Sequence, residues 1–288
     1  MFNFFIFVLG FVGILTATVI AAKLRVRRAV SHSISLGLML SFLAVTFLAW
    51  WFVTKGDTIE QRIIAPLILP SPVEVLKAFP KLHFEQELVR CIIVSFKRVT
   101  IGFVLAAAIA IPLGVYMASF PPIADFFRPL ELVAAYVPIV CFIPLTLAWW
   151  GISETQKIGF LFIGCFVNLL PMVIKTISDV PAAYLDVART KGASQWQLVY
   201  KVLLPVSKAD IYDHLQNIYG IGWGWIILAE IVNADKGLGY LISISERRGH
   251  TNAVFAVIVV IVMVALVSDY FWSLGGRLFF PYRKKDQS

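Results

Sequence analysis

Long apolar runs separated by polar connections dominate the chain. A helix that crosses the hydrocarbon core of a bilayer needs roughly 20 mainly apolar residues. Seven stretches approach that length; six of them carry no charged residue, and one carries a single acid, Glu230. The pattern therefore predicts seven transmembrane helices, at Phe2–Ala22, Ser33–Val53, Val99–Ser119, Leu132–Ser153, Ile158–Ile174, Leu215–Ala234 and Thr251–Ser268.

The composition agrees with a membrane protein. Hydrophobic residues make up 59% of the 288 residues and charged residues 15%, against roughly 25% charged in soluble domains. The net charge is +8, but the Lys and Arg residues lie between the apolar runs and form no continuous basic surface with aromatic residues. We therefore expect a lipid bilayer as the environment and no nucleic acid as a partner.

The positions of Lys and Arg predict the orientation, because cytoplasmic loops are enriched in positive charge. Lys23–His32, the Asp179–His214 stretch and the tail after Ser273 each hold four such residues. This places the N-terminus outside and the C-terminus in the cytoplasm. Thr54–Arg98 also holds many positive residues, but long loops weigh less. The first apolar run is expected to be retained, because a signal peptide has its positive residues before the apolar segment.

One long polar stretch, Asp179–Gln216, interrupts the apolar pattern; we call it the polar loop. Pro181 suits the start of a helix, and Gly192 suits the end of that helix. Ser194 followed by Gln197 forms a capping-box pattern for a second helix, which Pro205 is expected to end. Two readings remain open: a helical hairpin packed on the ends of the spans, which the local pattern favours, and a rigid element that docks a partner.

A second polar stretch, Lys55–Arg90, is too polar to span a membrane. Ser71 is expected to cap a short helix that has Pro72 in its first position and Glu74 three residues after the cap. The helix would either lie on the membrane surface or form part of a landing surface for an external partner.

No catalytic or metal-binding constellation is visible. The histidines are scattered, no nucleophile-elbow, zincin or phosphate-loop motif occurs, and we predict no catalytic residue, no metal and no cofactor. The three cysteines each lie alone, at Cys91, Cys141 and Cys165.

Glu230 is an acid inside a predicted span, where acids usually face a cavity or a partner. Either it reaches water at the outer end, or it has a functional or structural partner. Lys97 and Arg98 are expected to extend toward the outer interface, with an anion-attracting role as the less favoured alternative. Four prolines lie in predicted spans, where they would kink the helices or shape a pathway: Pro112, Pro138, Pro144 and Pro171.

The polar loop also carries a family resemblance. The sequence DVARTKGAS from Asp186, followed by VLLP ending at Pro205, resembles the EAA loop of ABC-importer permeases. LPSPVEVL, SFKRVTIGF, IPLTLAWWGISETQKI and WIILAEIVNADKGLG are similar to segments of the nitrate/sulfonate/taurine/bicarbonate branch and occur in the same order. The resemblance covers about Leu69 to Leu241.

The resemblance implies an all-α polytopic membrane protein with a six-helix type I permease core and one extra N-terminal transmembrane helix. The extra helix and its basic loop would cover residues 1–32. The permease domain would cover residues 33–280, with the coupling loop at 179–216, and residues 281–288 would form a short cytoplasmic tail.

The implied function is that of a permease subunit in an ATP-driven, binding-protein-dependent importer of a small anionic solute in the inner membrane of a prokaryote. A pair of cytoplasmic ATPases, a second permease copy and an external substrate-binding protein would be its partners, and it would work by alternating access. The resemblance assigns ATPase coupling to Asp186, Val187, Ala188, Gly192, Ala193, Ser194 and Pro205. Together with the composition it suggests Glu230, Pro144, Pro171 and Lys175 for the pathway or gate.

Two other functions stay open at this point: a stand-alone carrier driven by an ion gradient, and an intramembrane enzyme. The chain also departs from the family pattern near the polar loop, which bears on substrate and coupling. Lys175 stands where Asn is expected, and Pro, Gly and Arg are replaced by Ala209, His214 and Gln216.

Overall fold

The computed structural model describes residues 31–56 and 61–282. The predicted first span, Phe2–Ala22, and most of the predicted tail lie outside these residues. The described residues form helices joined by turns and include no β-strand. The helices, numbered along this part of the chain, are α1 His32–Thr54, α2 Pro72–Glu85, α3 Leu88–Ser119, α4 Pro121–Tyr136, α5 Phe142–Trp150, α6 Glu154–Ser178, α7 Ala182–Thr190, α8 Gln195–Leu198, α9 Leu204–Asn233, α10 Leu238–Arg247 and α11 Thr251–Phe279.

Four of these helices, α1, α3, α6 and α11, are long and apolar enough to cross a membrane. Helix α9 is also long, with 30 residues, but its first half is polar and carries Lys208, Asp210 and Asp213. The all-helical, membrane-type fold predicted from the sequence is confirmed.

The chain divides into two units. The first holds the described residues up to Phe79 together with Gly249–Ala256, and the second holds Pro80–Arg248 and the residues from Val257 onward. In the first unit, Ser71 and Glu74 form the expected capping box: the Ser71 N–H donates to Glu74 Oε2 (2.8 Å), and the Glu74 N–H donates to Ser71 Oγ (3.3 Å). Arg62 also pairs with Glu74 at 2.8 Å and holds the pKa of that carboxyl well below its usual range, at about 2.

The second unit is built on the packing of α3 against α6, which is the most extensive helix contact. Glycines allow the two helices to approach closely. A Cβ atom at Gly102 would lie 2.6 Å from Leu161 Cβ, and one at Gly114 would lie 2.8 Å from Val173 Cγ1. Helix α9 packs on both α6 and α3, and α10 packs back on α9.

The observed helices differ from the predicted spans mainly at their ends. Helix α3 begins at Leu88, eleven residues before the predicted Val99, so Lys97 and Arg98 lie within the helix. Helix α9 begins well before the predicted Leu215, and α11 continues past Asp269 to Phe279. Hydropathy locates the apolar centre of a helix, whereas these ends are polar and are held by packing.

The prediction of one continuous helix at Leu132–Ser153 was wrong. Helix α4 ends at Tyr136, a short 3-10 turn follows at Ile139–Cys141, and α5 covers Phe142–Trp150. The break falls at Pro138, because a proline forces the preceding residue into extended backbone. Val137 has φ −90° and ψ 117°, as that restriction requires.

Candidate functional site

The first half of the polar loop has the predicted helix–glycine–helix form. Helix α7 ends at Thr190, and Gly192 follows with φ +77°. In this left-handed conformation Gly192 donates its N–H to the Arg189 carbonyl (2.9 Å), and the Ala193 N–H reaches the Ala188 carbonyl (3.1 Å). Glycine suits this position because other residues rarely adopt positive φ.

The second helix of the loop begins with the predicted capping box. The Ser194 N–H donates to Gln197 Oε1 (2.9 Å), and the Gln197 N–H donates to Ser194 Oγ (3.4 Å). These bonds satisfy backbone groups that have no partner inside the helix. The loop is thus ordered by its own sequence.

Pro205 does not end this helix, contrary to the prediction. Helix α8 passes into a π-helical turn, Val199–Leu203, which leads directly into α9 with Pro205 in its first turn. Within the turn the Leu204 N–H donates to the Val199 carbonyl, five residues back. The wider turn accommodates Pro205, which has no backbone N–H to donate. In a regular α-helix its ring would clash with the carbonyl group four residues earlier.

The polar loop exposes apolar side chains. Val187 is 58% exposed and Trp196 57% exposed. Of the residues that the family resemblance assigns to coupling, Asp186, Val187, Gly192, Ser194 and Pro205 are exposed, and Ala188 and Ala193 are half-buried. Asp186 makes a local ion pair with Arg189 at 3.3 Å.

An aromatic cluster joins the polar loop to the end of α3. The hydroxyls of Tyr116 and Tyr200 lie 2.6 Å apart. Trp196 packs edge-on against Tyr116 (centroids 6.0 Å), and it also contacts Phe120 (5.5 Å) and Tyr200 (6.2 Å). This contact could not be predicted from the sequence, because the two pairs of aromatic residues lie about 80 positions apart.

A second site lies around Glu230, which is 1% exposed. Its carboxylate accepts hydrogen bonds from Ser95 Oγ (2.8 Å), Arg98 Nη1 (2.7 Å) and the Gly239 N–H (2.8 Å). The reading in which Glu230 reaches water was therefore wrong, and the reading in which it has a structural partner is confirmed. A buried carboxylate is tolerated when it is paired and hydrogen-bonded in this way.

Arg98 does not extend toward an interface as expected, since it is 3% exposed. Besides Glu230 it binds Glu154, through Nε (2.7 Å) and Nη2, and its Nη1 donates to the Lys236 carbonyl (2.7 Å). Lys157, also 3% exposed, lies with its Nζ 3.7 Å from Glu154. We call the residues Ser95, Arg98, Glu154, Lys157 and Glu230 the charge cluster.

Two glycines at the turn between α9 and α10, Gly237 and Gly239, pack directly against Glu230. Gly237 has φ +128°, and a Cβ atom there would overlap the Glu230 carboxylate. A Cβ atom at Gly239 would lie 2.6 Å from Glu230 Cβ. Sequence reasoning singled out Glu230 but missed Glu154 and Lys157. The sequence carried no signal for them, because only the burial of Arg98 in the structure requires carboxylates near it.

The structure does not gather the four proposed pathway residues into one site. Glu230 lies in the charge cluster, Pro144 is exposed, and Pro171 is half-buried within α6. Lys175 lines a cavity of about 470 Å³ together with His214, Asp210 and others. Two of the departures from the family pattern, Lys175 and His214, thus share a cavity, and His214 Nε2 lies 2.9 Å from Thr176 Oγ1.

The other two departures lie elsewhere on α9. Ala209 is buried, and Gln216 Nε2 donates to Asp269 Oδ1 at 2.6 Å. Within the described ranges, no group of three or more His, Cys, Asp and Glu side chains is placed to hold a metal ion.

Long apolar helices around a core of close glycine contacts, with a polar loop that exposes apolar side chains, define a multi-pass membrane protein. Comparison with known proteins gives the family. Residues 110–273 match the model of the "binding-protein-dependent transport system inner membrane component" family. The chain belongs to this family.

Several relatives extend the likeness beyond the matched region. A putative ABC transporter permease protein of Methanocaldococcus jannaschii is 32% identical over 76% of this chain and 84% of its own length. The taurine transport system permease protein TauC of Escherichia coli is 28% identical over 86% of this chain and 89% of its own. The nitrate import permease protein NrtB of a Synechocystis strain is 26% identical over 84% and 89%.

A solved structure shares the fold. A chain of the MetNI methionine ABC transporter, in an inward-facing conformation, superposes with a TM-score of 0.58 at 20% identity. The match covers 66% of this chain and 95% of that chain. At this identity the likeness shows the fold alone.

Proposed function

We propose that this chain is the transmembrane permease subunit of an ATP-driven, binding-protein-dependent importer of a small anionic solute. Membership of the transport family supports the general role. The observation that carries the ATP coupling is the polar loop: it is ordered by its own caps and yet exposes Val187 and Trp196. Exposed apolar side chains on an ordered polar element are typical of a surface that a partner covers.

In this proposal a pair of cytoplasmic ATPases binds the polar loop of two permease chains, and a second copy of this chain completes the pore. An external binding protein delivers the solute. The N-terminus lies outside and the C-terminus in the cytoplasm of a prokaryotic cell. The permease chain itself is not an enzyme.

Alternating access would follow from movement of the polar loop when the ATPases close. Two connections within the second unit could transmit this movement: the continuous passage from α8 through the π-helical turn into α9, and the aromatic cluster that links Trp196 and Tyr200 to α3. Nucleotide binding would shift the population between two states of the pore through differential contacts at the loop.

The names of the relatives support an anionic solute. The curated relatives include permease proteins named for taurine, aliphatic sulfonates and nitrate. Each of these compounds presents an oxyanion group with a negative charge. We propose that this chain handles the same class of solute.

The test is co-purification followed by transport. We expect the chain, solubilised in detergent from its own cells, to bring down an ATPase and to support ATP-dependent uptake when the complex is reconstituted. Gly192→Asp should abolish uptake while membrane insertion stays intact, because the new carboxylate stands on the docking surface. No atom lies within 4 Å of the position of a Cβ at Gly192, so the substitution causes no internal clash.

Gly192→Ala is the matched control, because a Cβ in the left-handed conformation costs about 1–2 kcal/mol and alanine adds this strain without the charge. Uptake by the purified chain in liposomes, with no ATPase and a gradient as the energy source, would overturn the proposal in favour of a carrier. Full uptake by Gly192→Asp would contradict the proposed role of the polar loop in coupling to the ATPases.

A further inference from the structure

Glu154 is an exposed carboxylate that pairs with two buried cations, one of which, Arg98, also pairs with the buried Glu230. Its side chain is 63% exposed, whereas the side chains of Arg98 and Lys157 are each 4% exposed. Among the described residues, Glu154 is the one carboxylate within ion-pair distance of Lys157. Buried charges persist only when they are paired. The compensation of Lys157, and the second ion pair of Arg98, therefore depend on a side chain that water can reach.

The guanidinium of Arg98 has two sets of partners: Nη1 binds groups inside the fold, and Nε with Nη2 binds the exposed Glu154. Nη1 is held by Glu230 and the Lys236 carbonyl, both at 2.7 Å. Nε and Nη2 form a two-pronged contact with the two oxygens of Glu154. This fork matches any planar or tetrahedral group with two adjacent oxygens, such as a carboxylate, nitrate or sulfonate.

The first turn of α6 adds to the preference for negative charge. Glu154 is the first residue of this helix, and Ser153 caps it by accepting from the Gln156 N–H at 3.2 Å. The N-terminal end of a helix carries a partial positive charge. With Arg98 and Lys157 it gives three positive features directed at one carboxylate.

Space for a small ligand lies beside the cluster. A cavity of about 290 Å³ is lined by Glu230 and by Ile152, which is two residues before Glu154. Tyr240, Ser243 and Arg247 contribute polar groups to its wall, and Asp235 contributes a second carboxylate besides Glu230. A molecule the size of a short organic sulfonate fits this volume.

We propose that the Glu154 carboxylate occupies a binding site for a small oxyanion, and that such an anion displaces it to bind the Arg98 fork and Lys157. The exchange conserves charge: one anion leaves the two cations for water as another arrives. A neutral ligand would leave Lys157 without a counter-charge and Arg98 with Glu230 alone, and a cationic ligand would be repelled. The identification of this anion with the transported solute rests on the proposed function; the site itself does not.

The test uses the full chain in detergent, without ATP or ATPase. Glu154→Gln preserves size and removes the charge, so the fork loses its internal anion. Thermal unfolding is followed in sodium chloride, sodium nitrate and sodium methanesulfonate at equal ionic strength. We expect the variant to unfold at a lower temperature in chloride and to be restored, saturably, by nitrate or methanesulfonate.

The wild-type chain should respond to the same anions with an apparent affinity weaker by about tenfold, because Glu154 competes for the site. Glu87→Gln is the matched control. Glu87 is also an exposed carboxylate with two cationic partners, Lys236 at 3.3 Å and Arg90 at 3.2 Å, but all three side chains are exposed. No difference between the anions is expected there.

Equal effects of all three salts on Glu154→Gln would show that Glu154 is only a structural counter-ion and would overturn the proposal. If this variant does not fold, Glu154→Asp provides the second measurement. It keeps the charge but shortens the reach, so its affinity for methanesulfonate should lie above that of the wild type, and an unchanged affinity would equally overturn the proposal. An anion response without a co-purifying ATPase would retain this site and reject the proposed ATP-driven function.

Discussion

The charge cluster and the polar loop differ in how the structure treats residues that are unusual for their position in the sequence. In the cluster, Glu230 and Arg98 are buried and every hydrogen bond they make is supplied by the chain itself. In the polar loop, Val187 and Trp196 are exposed, and the helices that carry them are ordered by capping hydrogen bonds within the loop. The internal bonds of Glu230 stabilise the fold, whereas the exposed apolar side chains of the polar loop are consistent with a surface that a partner covers.

The comparison predicts the largest effect on stability at the charge cluster. Arg98→Met leaves Glu230 buried without a cation, and removing one partner of a buried pair costs about 3–5 kcal/mol. We expect the variant to lose most of its folded yield, measured by fluorescence-detected size exclusion and by thermal unfolding in detergent.

The double variant Arg98→Met with Glu230→Met is the control. It removes both charges of the buried pair and leaves Glu154 paired with Lys157, so it should recover much of the lost stability. A double variant as unstable as the single one would mean that the cluster acts through its geometry more than through its charge.

The second effect concerns partner binding at the polar loop. Val187→Asp should leave the unfolding temperature nearly unchanged, because exposed substitutions usually shift stability by less than about 0.5 kcal/mol. Binding of the ATPase should weaken by about tenfold, since a charge would replace an apolar contact. Co-purification yield and microscale binding measure this loss.

Val73→Asp is the matched variant, since Val73 is an equally accessible valine, 52% exposed, on α2. It should leave ATPase binding unchanged. If both variants lowered binding alike, the polar loop would not be the docking surface.

A smaller effect is expected at the π-helical turn that connects α8 to α9. Pro205→Ala restores a backbone N–H, so the π-helical turn can relax to α-helical hydrogen bonding. A π-helical turn holds about one residue more than an α-helical turn. Its relaxation to α-helix would therefore rotate α8 relative to α9 by about 100°. We expect ATP-dependent uptake to fall severalfold with no loss of thermal stability, and Val206→Ala to behave as the wild type.

The smallest effect lies at Arg62 and Glu74, an ion pair that is partly open to water. The pKa of Glu74 is lowered from 4.5 to about 2, so the pair stabilises the fold above about pH 4.5 and its contribution disappears between about pH 4.5 and 2. Pairs of this exposure contribute roughly 1 kcal/mol or less. Unfolding of Glu74→Gln and of the wild type across this range should therefore converge as the pH falls, and a constant difference would contradict the assignment.

Features that depend on neighbouring residues could be predicted from the sequence. The Ser194–Gln197 and Ser71–Glu74 capping boxes, and the left-handed Gly192, lie within a few residues of their partners, and the structure confirms all three. The centres of the long helices were also found, because hydropathy is a property of each segment alone.

Features that depend on distant residues could not be predicted. Arg98 and Glu230 are 132 residues apart, and the sequence contains other acids that could have served as the partner. The break at Pro138 and the continuation through Pro205 show the same limit in another form: proline permits a break, a kink or a wider turn, and packing selects among them. Of the exposed apolar side chains in the polar loop, Val187 belongs to the residues that the family resemblance singles out, whereas Trp196 does not.

The spacing of the charge cluster also has a consequence for biogenesis. A ribosome completes Arg98 56 residues before Glu154 and 132 residues before Glu230. During synthesis α3 therefore enters the insertion machinery with an uncompensated guanidinium, receives its first counter-charge from the start of α6, and is fully neutralised only when α9 arrives. Because an unpaired arginine is costly in lipid, we expect stable membrane integration of the early helices to depend on the late ones, and a chain truncated before Glu230 to be retained by the translocon or degraded.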